Sequence, residues 1–379
     1  MPTLIEKDLK RSDFEYTLPP ERIAQSPVTP RDQSRLMVLN RSDASIQHQR
    51  FNQIGAFLRP GDVLVMNATR VFPARLRGQK RSGGKIELLF MSPSPWMGEG
   101  RDGGETARGA YPPPQSSPTR GEEANRWRAL VRGASVPGTE LLFNEGLTAR
   151  LETRLENGEW IVGFSREAVR EFLERHGEMP LPPYIKRSTK NPIDNETYQT
   201  VYARAEGSIA APTAGFHFTP DLLAALRAKG VLPVEIILHV GWGTFRPVRA
   251  EKITEHRMLP EFYEMSEKAA EQLTAARRDN RRIIAVGTTA VRTLESVYDA
   301  EQARFQESSG ATNLFIYPGY RFKAIDGLVT NFHLPHSTPL LLASAFYGGP
   351  EPFSLRNAYQ EAIREAYRFY SYGDAMFIQ

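Results

Sequence analysis

The stretch APTAGFHFTP, residues 211 to 220, sets one histidine, His217, among small residues and phenylalanines just ahead of a helix start. Thr219, Pro220 and Asp221 read as the helix cap, a first-turn proline and an acidic first turn, and the helix stops at Gly230. Such an N-terminus directs unpaired N–H groups and a partial positive charge at whatever lies before it. An imidazole there can move a proton or lie against a ring; the plainer reading is a packed loop histidine bonded to its neighbours. Five of the seven histidines, His217, His239, His256, His333 and His336, fall between residues 217 and 336, several near the ends of apolar runs. None pair at i,i+4 and prolines surround His333 and His336, so no metal site is expected.

Other junctions carry polar groups as well. RRIIAVG ends in Gly287 and passes into Thr288, Thr289 and a helix with Arg292, where exposed N–H groups can hold a carboxylate or phosphate. VEIILHV contains His239 and leads to Thr244, LVTNFHLPHS closes on Asn331 and His333, and NATRVFPARL sets Arg70 and Arg75 around VFPA. At least one of these arginines should face solvent or an anion; the alternative is an ion pair holding two domains together.

The elements that must position these groups follow from patterning. SRLMVLNRSDASIQHQRF reads as a hairpin, LPPERIAQ and FNQIGAFL as short helices, and GDVLVMNATR as a buried strand running into a loop. KIELLF, RWRALVRG, TARLETRL and EWIVGFS are short strands of a small all-β module. From the helix REAVREFLERHG onward, helices alternate with strands: DLLAALRAKG precedes VEIILHV, EKAAEQLTAARRDN precedes RRIIAVG, TTAVRTLESVYDAEQ precedes TNLFIYPG, and PFSLRNAYQEAIREAYRFY precedes GDAMFI. This alternation predicts an α/β fold, a mainly parallel sheet covered by helices and barrel-like in form, with ligands beyond the carboxyl ends of its strands. The boundaries expected are 1–72 and 166–379 for the α/β domain and 73–165 for the inserted β domain. In the segment 92–125, 12 of 34 positions are Gly or Pro and none is Ile, Val, Leu or Phe, so a disordered loop is expected.

Composition narrows the chemistry. The chain has 379 residues, 40% of them hydrophobic, enough for a full core. It has no cysteine, which excludes disulfides, thiolate nucleophiles and cysteine-bound zinc or iron–sulfur clusters. A net charge of +4 is too small an excess to define a nucleic-acid footprint. MPTLIEKDLKRSDFEY has no apolar stretch of signal-peptide length and PLLLASAF is too short to span a bilayer, so a cytoplasmic protein without membrane contact is expected.

NATRVFPARL, LPPYI, YQTVYA, APTAGFHFT, LHVGWGTF, AVGTTAVRTLES, PGYRFKAIDGLVTNFHLPHST, SAFYG and YRFYSYGDAMFI occur in an order that resembles the S-adenosylmethionine:tRNA ribosyltransferase-isomerases of queuosine synthesis, over nearly the whole chain outside 92–125. The resemblance implies a barrel-like α/β domain interrupted by a β-barrel. It implies transfer of the ribosyl part of S-adenosylmethionine to 7-aminomethyl-7-deazaguanine at the tRNA wobble position, giving epoxyqueuosine, adenine and methionine. A base removes a proton from the carbon beside the sulfonium, adenine leaves, the tRNA amine adds, and methionine departs as the epoxide closes. S-adenosylmethionine is then a consumed substrate, no cofactor is required, and a monomer is expected.

On that resemblance His217, His239 and His333 are rival catalytic bases, and Thr213 and Gly215 let a nucleoside approach the backbone. Thr288, Thr289 and Arg292 hold a carboxylate or phosphate, Arg70 and Arg75 face the tRNA, and Thr244, Asn331 and Asp374 add polar contacts. Ala68, Phe216, His336 and Leu259 stand where the family pattern has Asp, Leu, Lys and His. A methyltransferase is disfavoured because DVLVMNATR lacks a glycine-rich loop. A silent tRNA-binding protein is the rival of a different class.

Overall fold

The structure, a computed structural model, describes residues 9–91, 125–245 and 247–379. Apart from Asn125, the loop expected over 92–125 lies outside the described residues. In chain order the strands are β1 (Arg35–Leu39), β2 (Ile46–Arg50), β3 (Val63–Asn67), β4 (Thr69–Val71), β5 (Arg75–Lys80), β6 (Lys85–Phe90), β7 (Arg126–Arg132), β8 (Glu140–Leu142), β9 (Thr148–Arg154) and β10 (Trp160–Phe164). There follow β11 (Ala205–Ser208), β12 (Leu232–Leu238), β13 (Glu261–Met265), β14 (Ile283–Val286), β15 (Tyr298–Asp299), β16 (Arg304–Phe305), β17 (Ser308–Thr312), β18 (Gly327–Asn331) and β19 (Ala375–Ile378). The helices are α1 (Val169–His176), α2 (Asp194–Thr197), α3 (Pro220–Ala228), α4 (Glu267–Arg278), α5 (Thr288–Val297), α6 (Thr338–Tyr347) and α7 (Arg356–Arg364).

The chain divides into two compact units, Met1–Arg70 with Leu181–Gln379, and Val71–Pro180. In the smaller unit six strands close a barrel in the order β10-β7-β6-β5-β8-β9. Alternate residues such as Ile86, Leu88 and Phe90 of β6 are buried, and Phe90 stacks on Phe164 at 5.6 Å. The second boundary falls at 180 rather than 165. Helix α1 packs on β5, and Arg75 N–H and carbonyl bond Glu178 at 3.1 and 2.8 Å, so the chain through residue 178 stays with the barrel.

The larger unit carries one nine-stranded sheet, ordered β17-β13-β12-β3-β14-β18-β19-β1-β2. Only the block β12-β3-β14-β18 and the pair β19-β1 are parallel; the remaining pairs are antiparallel. The sheet is therefore mixed rather than mainly parallel, and among the described residues its edge strands β17 and β2 do not pair to close it. Strand alternation splits the core into two layers. Val63, Val65, Ile283 and Ala285 pack on one face, and Leu64, Met66, Ile284 and Val286 on the other. Each buried aliphatic side chain contributes roughly 1.5–3 kcal/mol.

Thr219 caps α3 by accepting Leu222 N–H at 3.2 Å, with Pro220 at its first position. Ser266 and Ser337 cap α4 and α6 in the same way. LPPERIAQ and FNQIGAFL give only 3-10 turns, Pro20–Arg22 and Phe51–Ala56, and TNLFIYPG is not a strand: β17 is the preceding SSGAT. Among the described residues no helix is long and apolar enough to cross a membrane, and no group of three or more His, Asp or Glu could hold a metal ion.

Candidate active site

The four neighbouring parallel strands of the larger unit end together: β3 at Asn67, β12 at Leu238, β14 at Val286 and β18 at Asn331. Just beyond them lies a cavity lined by Thr213, Thr244, Thr288, Thr289, Thr330, Asn331, His333, Ser337 and Ser371, with Tyr184, Tyr198 and Tyr370 completing its wall. The carboxyl ends of parallel strands are where an α/β sheet leaves backbone groups and loop residues free to meet a ligand. Gly287, at φ 89°, makes the turn from β14 into α5, and no side chain caps that helix. The first-turn N–H groups of α5 thus stand beside Thr288 and Thr289 in the cavity wall.

Three hydrogen-bonded arrangements hold cavity hydroxyls from behind. In the first, Ser34 Oγ lies 2.8 Å from His217 Nδ1, Asn331 Nδ2 is 3.1 Å from His217 Nε2, and Thr213 Oγ1 donates to Asn331 Oδ1 at 2.9 Å. An amide nitrogen only donates, so this amide orientation makes Nε2 the acceptor and Nδ1–H the donor to Ser34. In the second, Arg292 pairs with the Glu261 carboxylate and donates to the Leu314 and Thr312 carbonyls at 2.9 and 3.1 Å. Glu261 Oε1 in turn accepts from Gly241 N–H at 2.9 Å and Thr244 Oγ1 at 3.2 Å. In the third, Asn67 Nδ2 donates to Leu238 O at 2.9 Å and Thr289 Oγ1 at 3.3 Å.

The three histidines singled out from the sequence separate by their surroundings. His217 is only 3% exposed, does not line the cavity, and has both ring nitrogens bonded within the fold. Burial first, then the charges of Arg368 and Arg31, push it down to about 3. His239 also lies outside the cavity lining. Its Nδ1 bonds Thr69 Oγ1 at 2.9 Å and its ring stacks on Phe262 at 5.9 Å; burial lowers its pKa. His333 does line the cavity. Thr330 Oγ1 holds its Nε2 at 2.7 Å, its backbone N–H donates to Tyr359 Oη at 3.0 Å, and burial pushes it to about 3. Nδ1 of His333 has no hydrogen bond among the described residues.

The remaining candidates sort in the same way. Gly215 is outside the cavity wall: a Cβ there would come within 1.9 Å of Tyr202 Oη, so its small size serves internal packing rather than ligand approach. Arg292 is 6% exposed and committed to Glu261 and two carbonyls, so it supports Thr244 instead of offering its charge to a ligand. Asp374 accepts from the N–H groups of Arg35 and Arg368 at 2.9 and 2.8 Å, and burial raises its pKa. It fastens the turn that carries Tyr370 and Ser371 to the cavity and is not itself in the wall. Arg70 is exposed and without a partner among the described residues, while Arg75, in the smaller unit, faces Glu87 at 3.6 Å. Ala68 is fully buried, its carbonyl accepting from Arg204 and Ala205 N–H.

Reasoning from residue types missed Ser34, Thr330, Glu261 and Tyr370. Tyr370 stands at φ 72°, rare for a bulky residue, within the stretch YRFYSYGDAMFI. Nothing local in the sequence marks Glu261.

A family model described as queuosine biosynthesis protein matches residues 11–378. The S-adenosylmethionine:tRNA ribosyltransferase-isomerase of Moorella thermoacetica is 50% identical over 376 residues, covering 98% of this chain and all of that protein. The protein of that name from Thermotoga maritima is 46% identical over 372 residues, with 98% and 100% coverage. A crystal structure of S-adenosylmethionine tRNA ribosyltransferase from Thermotoga maritima aligns with a TM-score of 0.51 and 36% identity, covering 97% of this chain and 100% of that one. By the length of these matches the chain belongs to the queuosine biosynthesis family.

Proposed function

We propose that the chain transfers and isomerises the ribosyl group of S-adenosylmethionine onto 7-aminomethyl-7-deazaguanine in the tRNA wobble position, yielding epoxyqueuosine-tRNA, adenine and methionine, as a cytoplasmic monomer without a bound cofactor. The observation that carries this beyond family membership is the cavity at the strand ends. Its walls combine hydroxyls, aromatic rings and small apolar side chains, and the lining has no Lys, Arg, Asp or Glu. Such a surface suits a nucleoside whose sulfonium brings its own charge and its own acidity.

His333 is the base of this reading. It lines the cavity, Thr330 fixes its ring, and one ring nitrogen has no competing bond among the described residues. Burial pushes its pKa down to about 3, which keeps the lone pair free of a proton but makes it a weak base, so the reaction leans on the acidity that the sulfonium gives the adjacent C–H. The α5 N–H groups with Thr288 and Thr289 take the methionine carboxylate, and Tyr184 and Tyr370 offer ring faces to adenine. His217 positions Asn331 and Thr213 from behind.

The test is direct. Purified protein, S-adenosylmethionine and tRNA carrying 7-aminomethyl-7-deazaguanine are mixed, and the digest is read by mass spectrometry for the modified nucleoside, adenine and methionine. All three products together are expected. Binding of the tRNA with no adenine released would overturn the proposal in favour of a silent binder.

A further inference from the structure

Thr244 lines the cavity described above and also a second one, bounded by Arg249, Glu255, His256, Arg257 and Glu261. The chemistry of the second is opposite. Where the first wall has no ionised side chain, this one gathers two arginines and two carboxylates. Glu261 is consumed by Arg292 and the Gly241–Thr244 turn. The side chains of Arg249, Glu255 and Arg257 form no ion pair among the described residues, although charges of both signs line one cavity. His256, whose ring lies against Phe315 with centroids 5.0 Å apart, adds an imidazole ring to the lining.

We propose that this second cavity is the subsite for the tRNA nucleotide, resting on the function proposed above. Glu255 accepts from the N1–H and 2-amino donors of the guanine-type base, and Arg249 and Arg257 take flanking phosphates. A base unstacked from its loop is recognised in this way, on its Watson–Crick edge and by ring contact, while arginines hold the backbone. The division of charge assigns the two substrates. The polyanionic one enters the cavity with unpaired arginines, and the zwitterionic sulfonium enters the neutral one. Thr244, held by Glu261, lines both cavities, which would bring the base's aminomethyl group towards the ribosyl carbon.

The experiment compares wild type, Glu255→Gln and Arg257→Ala by KM for each substrate and by tRNA binding measured without S-adenosylmethionine. The expected result is a rise of about tenfold in the KM and Kd for tRNA, with the KM for S-adenosylmethionine unmoved. Glu255→Gln should also narrow the preference for tRNA bearing the 7-deazaguanine base over tRNA bearing adenine there, whereas Arg257→Ala should weaken both equally. Unchanged tRNA affinity in both variants, or a KM for S-adenosylmethionine that rises in step, overturns the assignment. If wild type releases no adenine, the proposed reaction fails, yet the base preference of Glu255→Gln still decides whether this cavity reads the nucleotide.

Discussion

His217 and His333 are both held near a pKa of about 3, yet one belongs to the scaffold and the other to the cavity. Around His217 every polar atom of the ring is spent: Ser34 takes one nitrogen and Asn331 the other, and Phe51 packs its face at 4.9 Å. Around His333 the fold fixes one nitrogen through Thr330 and leaves the second without a protein partner among the described residues. A depressed pKa therefore marks burial in both places, and only in the proposed reaction does it go with chemistry in one of them. What separates them is uncommitted hydrogen-bonding capacity facing a space a ligand can enter.

The largest effect follows from that difference. His333→Ala should lower the rate of adenine release by about 10²–10⁴-fold, the usual worth of a positioned proton acceptor, while the Thr330 hydroxyl it strands costs about 1–3 kcal/mol of stability. His217→Ala should do the reverse in emphasis. It strands the Ser34 hydroxyl and the Asn331 amide, costing about 1–3 kcal/mol for each group left unsatisfied, and raises the KM for S-adenosylmethionine more than it lowers kcat. Equal rate losses in the two variants would erase the distinction.

Next in size is the support behind Thr244. Arg292→Met leaves Glu261 charged and buried without its partner, which should cost about 3–5 kcal/mol in denaturant unfolding. A change below about 1 kcal/mol would mean the pair is not the anchor described.

The pH dependence of stability sharpens the comparison from another side. In the unfolded chain both histidines titrate near the ordinary 6.5, and in the folded one near about 3. Stability from keeping them neutral is complete above about pH 6.5. It falls as pH drops towards about 3, because the unfolded state binds protons the folded state refuses. Each group adds up to about 1.4 kcal/mol per pH unit to that slope. His217→Gln should remove one such contribution between pH 6 and pH 4 in urea titrations; an unchanged slope would mean that His217 already protonates in the fold.

Much of the frame was legible in the sequence because it rests on local rules. The barrel strands alternate, the central strands are continuous apolar runs, and Thr219 with Pro220 marks α3 in advance. TNLFIYPG misled because apolar content alone resembles a strand, whereas the Thr312 and Leu314 carbonyls are occupied by Arg292 and the edge pairing with β13 falls to the polar SSGAT. The strand ends that form the site were visible as junctions of apolar runs with Gly, Thr, Asn and His. Which way each polar side chain turns was not visible. His217, Arg292 and Asp374 look like ligand-facing groups until tertiary packing shows their partners, contributed from residues as distant as Ser34, Glu261 and Arg35.

The smallest expected effect falls on Arg70, whose contrast with Arg292 repeats that of the histidines on the surface. Arg292 is buried with its valences filled; Arg70 is exposed, with no partner among the described residues, so its removal strands nothing. Arg70→Ala should change unfolding free energy by no more than about 0.5 kcal/mol, since no buried partner or packing is lost. If its charge meets a tRNA phosphate, the variant should weaken binding equally for modified and unmodified tRNA, and the slope of log affinity against log salt should fall by about 0.7–0.9. An unchanged slope would make Arg70 a solvated charge and leave the recognition of tRNA to other cations.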